Sequence, residues 1–488
     1  HDCPELSDEI SMIQGRMRVR HISNLKAAVQ NAEQDAIGVQ GDEEYYWSKR
    51  GRGLLTNSYS PHTAPSFSAG PTWVWQNEWK EKVRHSPLID ADFNLYVATT
   101  TRLRKFDSDG HLLWTWHAAP TKRMRTAPAL HNGNIFMQLD SEDDSTPTLM
   151  SMSMKTSMVN WQQDLPGVKK SMDAESLLVA NDTLFLGART FSDGSDTVLA
   201  ANASDGSLLW KYFAGEVMWN FSPSTPGDGT LLFSSTCGAV FRLSFQGELI
   251  WKAGQSHPGS VCTVAGGALG PNGIFYAEYN EAPRALLALD PLSTLFPRSN
   301  DTLAAYNVTD GSLVWKRNLP YRAAQYPAVG KLGLDGPLAV VAPLGDNPMP
   351  PASKLVEAAY LKPRGGALKN YVMAFDAGTG ETLWISEDRQ FPDAVAAGDR
   401  DEHNATENSI CLPDAQGIPL ITGDGTVYTS SSHHGDLRAI QDSDNDGVIS
   451  PSEVSVFKTG QCFLNSPSIA PGMLVAAPCW GPMYVFKS

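Results

Sequence analysis

A chain of 488 residues, 42% hydrophobic and 19% charged, is too apolar for disorder and too long to rest on covalent staples alone. Its formal charge of -15, from 38 basic and 53 acidic residues, comes without any long basic run: Lys49-Arg50 and Lys122-Arg123 are isolated pairs. Nucleic acid and anionic membrane surfaces are therefore disfavoured as partners, and the 41 Gly and 32 Pro lean toward a turn-rich, β-built chain.

In chain order, the sequence begins at His1 and reads as a processed product from which a signal peptide has been removed. No run of about 18 apolar residues occurs, so no membrane-spanning helix is expected. In residues 1-45, Ile10, Ile13, Met17, Ile22, Leu25 and Val29 recur at roughly helical spacing, which predicts a short helical or extended segment lying against the rest. Cys3 is placed to tie it down.

From Thr72-Trp73-Val74-Trp75 onward a repeat takes over. A turn ending in Gly, two or three strand residues and a Trp recur as FDSDGHLLW (106-114), NASDGSLLW (202-210), LSFQGELIW (243-251), NVTDGSLVW (307-315) and DAGTGETLW (376-384). A degenerate copy, KTSMVNW (155-161), carries Ser157 in the glycine slot. The turn residue and the Trp are four apart in all six copies, at 110/114, 157/161, 206/210, 247/251, 311/315 and 380/384. Asp or Asn with Gly supplies a tight turn in which Gly takes positive φ, and the alternating strand that follows puts the Trp on a buried face. Before each hairpin stands a residue-Pro-apolar signature, as at Ala127-Pro128-Ala129 and Tyr326-Pro327-Ala328, and then a short apolar strand such as Leu184-Phe185-Leu186 or Ile274-Phe275-Tyr276. Each unit thus reads as four strands, one blade of a β-propeller.

The Trp steps from Trp114 onward are 47, 49, 41, 64 and 69 residues. The long steps reflect insertions at Pro291-Asn300 and Gly345-Leu368, and a third, Asp388-Asn404, lies in the seventh unit. Insertions into repeats usually carry function. Six Trp-ended units, a seventh ending near Phe457 and an eighth assembled from Ser466-Phe486 with Thr72-Trp75 predict one all-β, eight-bladed propeller over residues 46-488. It is closed by its own chain ends, which leaves no open edge.

Within the seventh unit, residues 442-453 read Asp-Ser-Asp-Asn-Asp-Gly-Val-Ile-Ser-Pro-Ser-Glu, the pattern of a twelve-residue EF-hand calcium loop. Asp442, Asp444 and Asp446 take positions one, three and five. Gly447 makes the turn, Val448 offers its carbonyl, Ser450 stands at nine, and Glu453 is the bidentate twelfth ligand. Calcium wants six to eight oxygens, and this segment supplies them. Leu437-Arg438-Ala439-Ile440 before it and Val454-Ser455-Val456-Phe457 after it place the loop where other blades have their hairpin turn. With no second such loop, the expected role is a structural staple.

The blades resemble those of the PQQ-like (quinoprotein alcohol dehydrogenase-like) propeller family. The resemblance is carried by Val372-Met373-Ala374-Phe375-Asp376-Ala377-Gly378-Thr379-Gly380-Glu381-Thr382-Leu383-Trp384 and its sister copies, and by Trp47-Ser48-Lys49-Arg50-Gly51 with Tyr59-Ser60-Pro61, which resembles the opening segment of such proteins. It covers nearly all of the chain after residue 45. It implies either a dehydrogenase or an assembly scaffold, since fold does not fix function. In the dehydrogenase members a quinone stacks on a Trp in the central channel beside a calcium held by Glu and Asn, with an Asp as base and an adjacent-cysteine disulfide. No Cys-Cys pair occurs here, and the Glu, Asn and Asp match no motif. Trp219, with Arg84, Arg125 and Asn220, is the candidate to face the channel.

The six cysteines, Cys3, Cys237, Cys262, Cys411, Cys462 and Cys479, include no CxxC pair, and their even number fits three disulfides with 15 connectivities open. The expected pairs are Cys237 with Cys262, Cys462 with Cys479, and Cys3 with Cys411. Glycosylation sequons stand at Asn181, Asn202, Asn220, Asn300, Asn307 and Asn404. Together these point to a secreted protein. His433-His434 lacks further ligands and reads as a loop pair. Gly267, Gly270 and Gly273 read as turn glycines, and no GxSxG elbow or HExxH helix occurs. Two functions are weighed. One is a secreted, glycosylated, calcium-stapled propeller that binds an extracellular or lumenal protein or glycan, alone or as an oligomer, without catalysis. The other is a PQQ-dependent alcohol or sugar dehydrogenase.

Overall fold

The turn glycines do what the repeat requires of them. Gly110, Gly206, Gly247, Gly311 and Gly380 have φ of 91°, 75°, 87°, 73° and 70°, and Ser157 adopts 58° in the degenerate copy. The residue opening each turn accepts the backbone N–H two positions on. Asp107 accepts from Asp109 at 2.9 Å, Asn202 from Ser204 at 2.8 Å, Asn307 from Thr309 at 2.8 Å, and Ser244 from Gln246 at 3.2 Å. These side chains imitate a backbone turn and fix the hairpin locally.

The computed structural model describes residues 45-488, apart from 78-80, 142-145, 170-174, 192-193, 264-265, 281-300, 324, 346-368, 392-395, 400-415 and 432. The predicted N-terminal helical segment falls outside the described residues. The strands form eight antiparallel sheets, arranged as eight blades in a ring. Blade 5, for example, runs inner to outer through Gly267–Leu269, Ile274–Asn280, Asp301–Asn307 and Leu313–Leu319. Blade 7 comprises Leu420–Ile421, Val427–Ser430, Asp436–Ile440 and Val454–Lys458. In blade 8, Ser468–Ala470, Met473–Ala476 and Met483–Lys487 receive Trp73–Trp75 as outer strand, with Trp73 opposite Val485 and Trp75 opposite Met483. The ring is closed as the sequence predicts. Inner strand Ser468–Ala470 also touches inner strand Leu88–Ile89 of blade 1.

The core lies in the seams between blades. Tyr276, Leu303 and Ala305 of blade 5 pack against Val340, Ala342 and Met373 of blade 6, and equivalent clusters fill the other seams. The repeated Trp locks six of the seams. Its indole N–H donates to a carbonyl in the turn of the following blade: Trp73 to Ser108 (2.9 Å), Trp114 to Met154 (3.2 Å), Trp161 to Ala203 (3.0 Å), Trp210 to Phe245 (2.7 Å), Trp251 to Val308 (2.9 Å) and Trp315 to Ala377 (2.9 Å). The turn glycine lies flat on that ring. A Cβ at Gly311 would stand 2.8 Å from Trp251, and one at Gly380 2.7 Å from Trp315. The glycine therefore serves both its own turn and its neighbour's Trp.

Residues 45-60 belong to no blade. Trp47 exchanges backbone hydrogen bonds with Ile89 at 3.0 Å in each direction. The carbonyls of Ser48, Leu54, Leu55, Asn57 and Ser58 then accept from Leu130 (2.8 Å), Thr225 (2.9 Å), Leu269 (3.2 Å), Val329 (2.8 Å) and Ile421 (3.0 Å). These partners sit on or beside the inner strands of blades 1, 2, 4, 5, 6 and 7 in chain order, so the segment winds round the inside of the ring, about its axis. Positive φ at Gly51, Arg52, Thr56 and Ser58 lets it wind there.

Candidate functional site

The acidic loop of blade 7 joins Asp436–Ile440 to Val454–Lys458, with Ile440 opposite Val454, and so stands in place of the hairpin turn. Its geometry follows from its residues. Gly447, at φ 78°, turns its N–H onto Asp442 Oδ2 at 3.1 Å. Asp446 N–H donates to Asp444 Oδ1 at 3.2 Å, and Val448 N–H to Asp446 Oδ1 at 2.7 Å. Glu453 folds back to accept Ser443 N–H at 2.6 Å and Ser450 N–H at 2.8 Å. Those donors favour the ionised carboxylate and hold Glu453 down to about 2. Carboxylate oxygens of Asp442, Asp444 and Glu453 lie within 4.8 Å of one another. Asp442 Oδ1 is buried with no hydrogen-bond partner. A buried carboxylate oxygen without a partner in an acidic loop can accept a cation, and three converging carboxylates suit calcium. Of the six ligands predicted, Asp442, Asp444 and Glu453 converge. Asp446 accepts the Val448 N–H, and Ser450 N–H donates to Glu453.

The second constellation lies inside the ring. Arg50, from the axial segment, is 2% exposed. Its guanidinium reaches Asn220 Oδ1 at 3.4 Å and Gln325 Oε1 at 3.3 Å, and lies 5.3 Å from the centre of the Tyr326 ring. His85 is buried beside it, and burial followed by the charges of Arg50 and Arg84 pushes its imidazole down to about 3. It is a neutral histidine at any ordinary pH. Arg125 completes the group. The structure thus gathers Arg84, Arg125 and Asn220 as the sequence reading expects, and adds Arg50, His85, Gln325 and Tyr326. Trp219 is partly buried and packs on Gly194, where a Cβ would collide with its indole. Arg50 and His85 escaped the sequence reading because neither belongs to a repeat position.

The remaining site residues fall as follows. Cys237 and Cys262 are bonded. The expected Cys462–Cys479 pair is not formed: Cys462 is a free, buried thiol, and Cys479 is bonded to a partner outside the described residues. Apposition explains the error, since Cys479 N–H donates to the Cys462 carbonyl at 2.6 Å, so the two are backbone neighbours without being disulfide partners. Cys3 and Cys411 lie outside the described residues, as do Asn300 and Asn404. Asn181 stands in an exposed turn. Asn202 and Asn307 open their hairpins as turn-forming side chains. Asn220 is corrected as an acceptor, because its side chain is buried against Arg50 and leaves no room for a glycan. His433 stacks on Phe391, their ring centres 3.4 Å apart, and His434 reaches the Arg389 carbonyl at 3.0 Å, which makes them packing residues.

With this geometry in place, comparison with known proteins gives the class. The family profile described as outer membrane protein assembly factor BamB, built on PQQ-like repeats, matches residues 71-216 and, overlapping, 116-261. No curated protein matches the chain. Among solved structures, BamB from Moraxella catarrhalis superposes with TM-score 0.54 at 14% identity, covering 86% of this chain and 99% of its own. Quinohemoprotein alcohol dehydrogenase from Comamonas testosteroni gives 0.57 at 13% identity, covering 94% and 84%. A europium-containing methanol dehydrogenase gives 0.58 at 11% identity, covering 93% and 100%. The matched repeats resemble those of the BamB profile, and the fold is one also found in BamB and in quinohemoprotein and methanol dehydrogenases.

Proposed function

We propose that this protein is a calcium-stapled binding scaffold of the secretory pathway, which presents the loop-bearing face of its propeller to a protein or glycan partner, alone or as an oligomer. The observation that carries the reading is the axial segment. Residues 45-60 spend their backbone hydrogen bonds on the inner strands, and Arg50 among them is buried. The face is set by topology. In each blade the second strand ends, and the third begins, at the side where the inner strand starts, so the chain on either side of 281-300 and 346-368 leaves and re-enters there. The Cys237–Cys262 bond and the sequons at Asn181, Asn202 and Asn307 support an oxidising compartment.

A channel calcium with a quinone fits the axial residues poorly. Arg50, Arg84 and Arg125 raise a positive field where a second cation would have to sit. The buried Glu278 and Asp301 lie on the second and third strands of blade 5, not on its inner strand. Reconstitution with PQQ and calcium, followed by dye reduction with a panel of alcohols and sugars, tests the reading. It predicts no turnover. Turnover with any of these substrates would replace the scaffold with a dehydrogenase.

A further inference from the structure

The seam between blades 6 and 7 brings an unused donor and free carboxylates to one cleft. Gln441 N–H donates to the Glu453 carbonyl at 3.1 Å, as Asp376 N–H does to Glu381 at 2.8 Å in blade 6. Asp442 therefore holds the place of Ala377, whose carbonyl accepts from Trp315. The acidic loop leads the chain elsewhere, and among the described residues nothing accepts the Trp384 indole N–H. Trp384 is only 3% exposed, and it lines a cleft of about 620 Å³. The opposite walls are the turns after the inner strands of the two blades. These turns touch, since a Cβ at Gly425 would collide with the Gly333 backbone. They carry Asp335 and Asp424, both exposed and both lining the cleft. Asp424 Oδ1 accepts from Thr422 Oγ1 at 2.6 Å and from Thr426 N–H at 3.2 Å, which leaves Oδ2 unused, and Asp335 makes no hydrogen bond or ion pair among the described residues. No basic side chain lines the cleft among the described residues.

We propose that this cleft docks a basic peptide segment of a partner protein. An arginine or lysine side chain lies between Asp335 and Asp424, and a main-chain carbonyl of the same segment accepts the Trp384 N–H. Each half of the reading has its own cause. Carboxylates of one sign in a cleft focus a negative potential that draws a cation, and a guanidinium or ammonium pairs with them through charge-assisted hydrogen bonds. A buried indole N–H ordinarily finds an acceptor, and a peptide carbonyl supplies here what a hairpin carbonyl supplies at the other seams. A saccharide hydroxyl could serve the indole but brings no charge to the carboxylates. The cleft opens on the side of the hairpin turns, away from the insertion-bearing face, so the inference goes beyond the scaffold reading and does not rest on it. It does not need calcium either, because Asp335 and Asp424 lie outside the acidic loop.

The test labels the full-length protein with fluorotryptophan and follows its fluorine NMR spectrum while acetyl-Gly-Arg-Gly-amide is added. The Trp384 resonance is the one lost in Trp384→Phe. It is expected to move saturably with the arginine peptide, which should bind at least about fivefold more tightly than acetyl-Gly-Gln-Gly-amide at low salt, because only the first offers a charge-assisted bond. That preference should shrink as salt is raised. Asp335→Asn removes no hydrogen bond within the fold, and should weaken the arginine peptide severalfold while leaving the glutamine peptide unchanged. Equal binding of the two peptides, or an Asp335→Asn protein that keeps the full preference, would overturn the proposal. So would a Trp384 resonance that moves with maltotriose and not with the arginine peptide, which would make the cleft a glycan site instead.

Discussion

Gly311 and Ser157 hold the same place in two turns, and both take positive φ. For Ser this backbone is strained by about 1 kcal/mol, and Gly is free of it. Ser157→Gly is therefore expected to stabilise by up to about 1 kcal/mol, and Gly311→Ala to destabilise by about 1–3 kcal/mol, the larger figure because its Cβ would also press on Trp251. Urea denaturation of the two variants checks both signs. Glu278 is a second test at this scale. Both its oxygens are buried without a hydrogen bond, and burial with the neighbouring Asp301 charge raises its carboxyl well above 4.5. The unfolded chain ionises this group near 4.5 and the folded chain does not, so its contribution to stability is full below that pH and is lost as pH rises toward the folded value. Glu278→Gln should be more stable than the parent at pH 8 and nearly equal at pH 4, by denaturation midpoints at the two values. His85 runs the other way: held neutral, it contributes above about 6.5 and loses that contribution as pH falls toward about 3.

At the scale of elements, the hairpin was readable because its causes are local. Asp107, Asn202 and Asn307 cap their own turns, and Gly sits where positive φ is needed. What the Trp touches was not readable. Trp315 donates to Ala377, in the next blade, and nothing near Trp315 in sequence says so. The axial segment was hidden for a stronger reason. Its hydrogen bonds run to six different blades and it has no periodicity, so no window of sequence contains its partners. The Cys462 error is of the same kind: parity and proximity of cysteines do not reveal which sulfurs face each other. The acidic loop was readable in full as a pattern, yet only the structure shows its setting. At this seam Gly447 of the loop, rather than a hairpin glycine, closes on blade 6, and a Cβ there would stand 2.9 Å from the Leu383 carbonyl. A cleft of about 620 Å³ remains beside it, lined by Trp384, Asp335, Asp424 and Gln441. The Trp–Gly lock that secures five other seams is thus replaced here by an acidic loop, the proposed calcium site.

For the molecule as a whole, the ring is closed by covalently distant ends, Trp73–Trp75 against Met483–Lys487, and lined on its inside by residues 45-60. In the scaffold reading proposed above, the loop face of this ring is the binding surface. If the protein travels the secretory pathway, enzymatic deglycosylation should lower its intact mass, with peptide mapping placing glycans at Asn181, Asn202 or Asn307 and none at Asn220; an unchanged mass would remove the secretory assignment. The staple itself is tested most directly by hydrogen exchange with and without calcium, read by mass spectrometry across all blades. Calcium should slow exchange in Asp436–Ile440 and Val454–Lys458 and in the facing strand Thr382–Glu387, and leave blades 2 to 4 unchanged, with Asp444→Ala abolishing the difference. Identical exchange in blade 7 with calcium and with chelator would contradict the calcium-stapled ring.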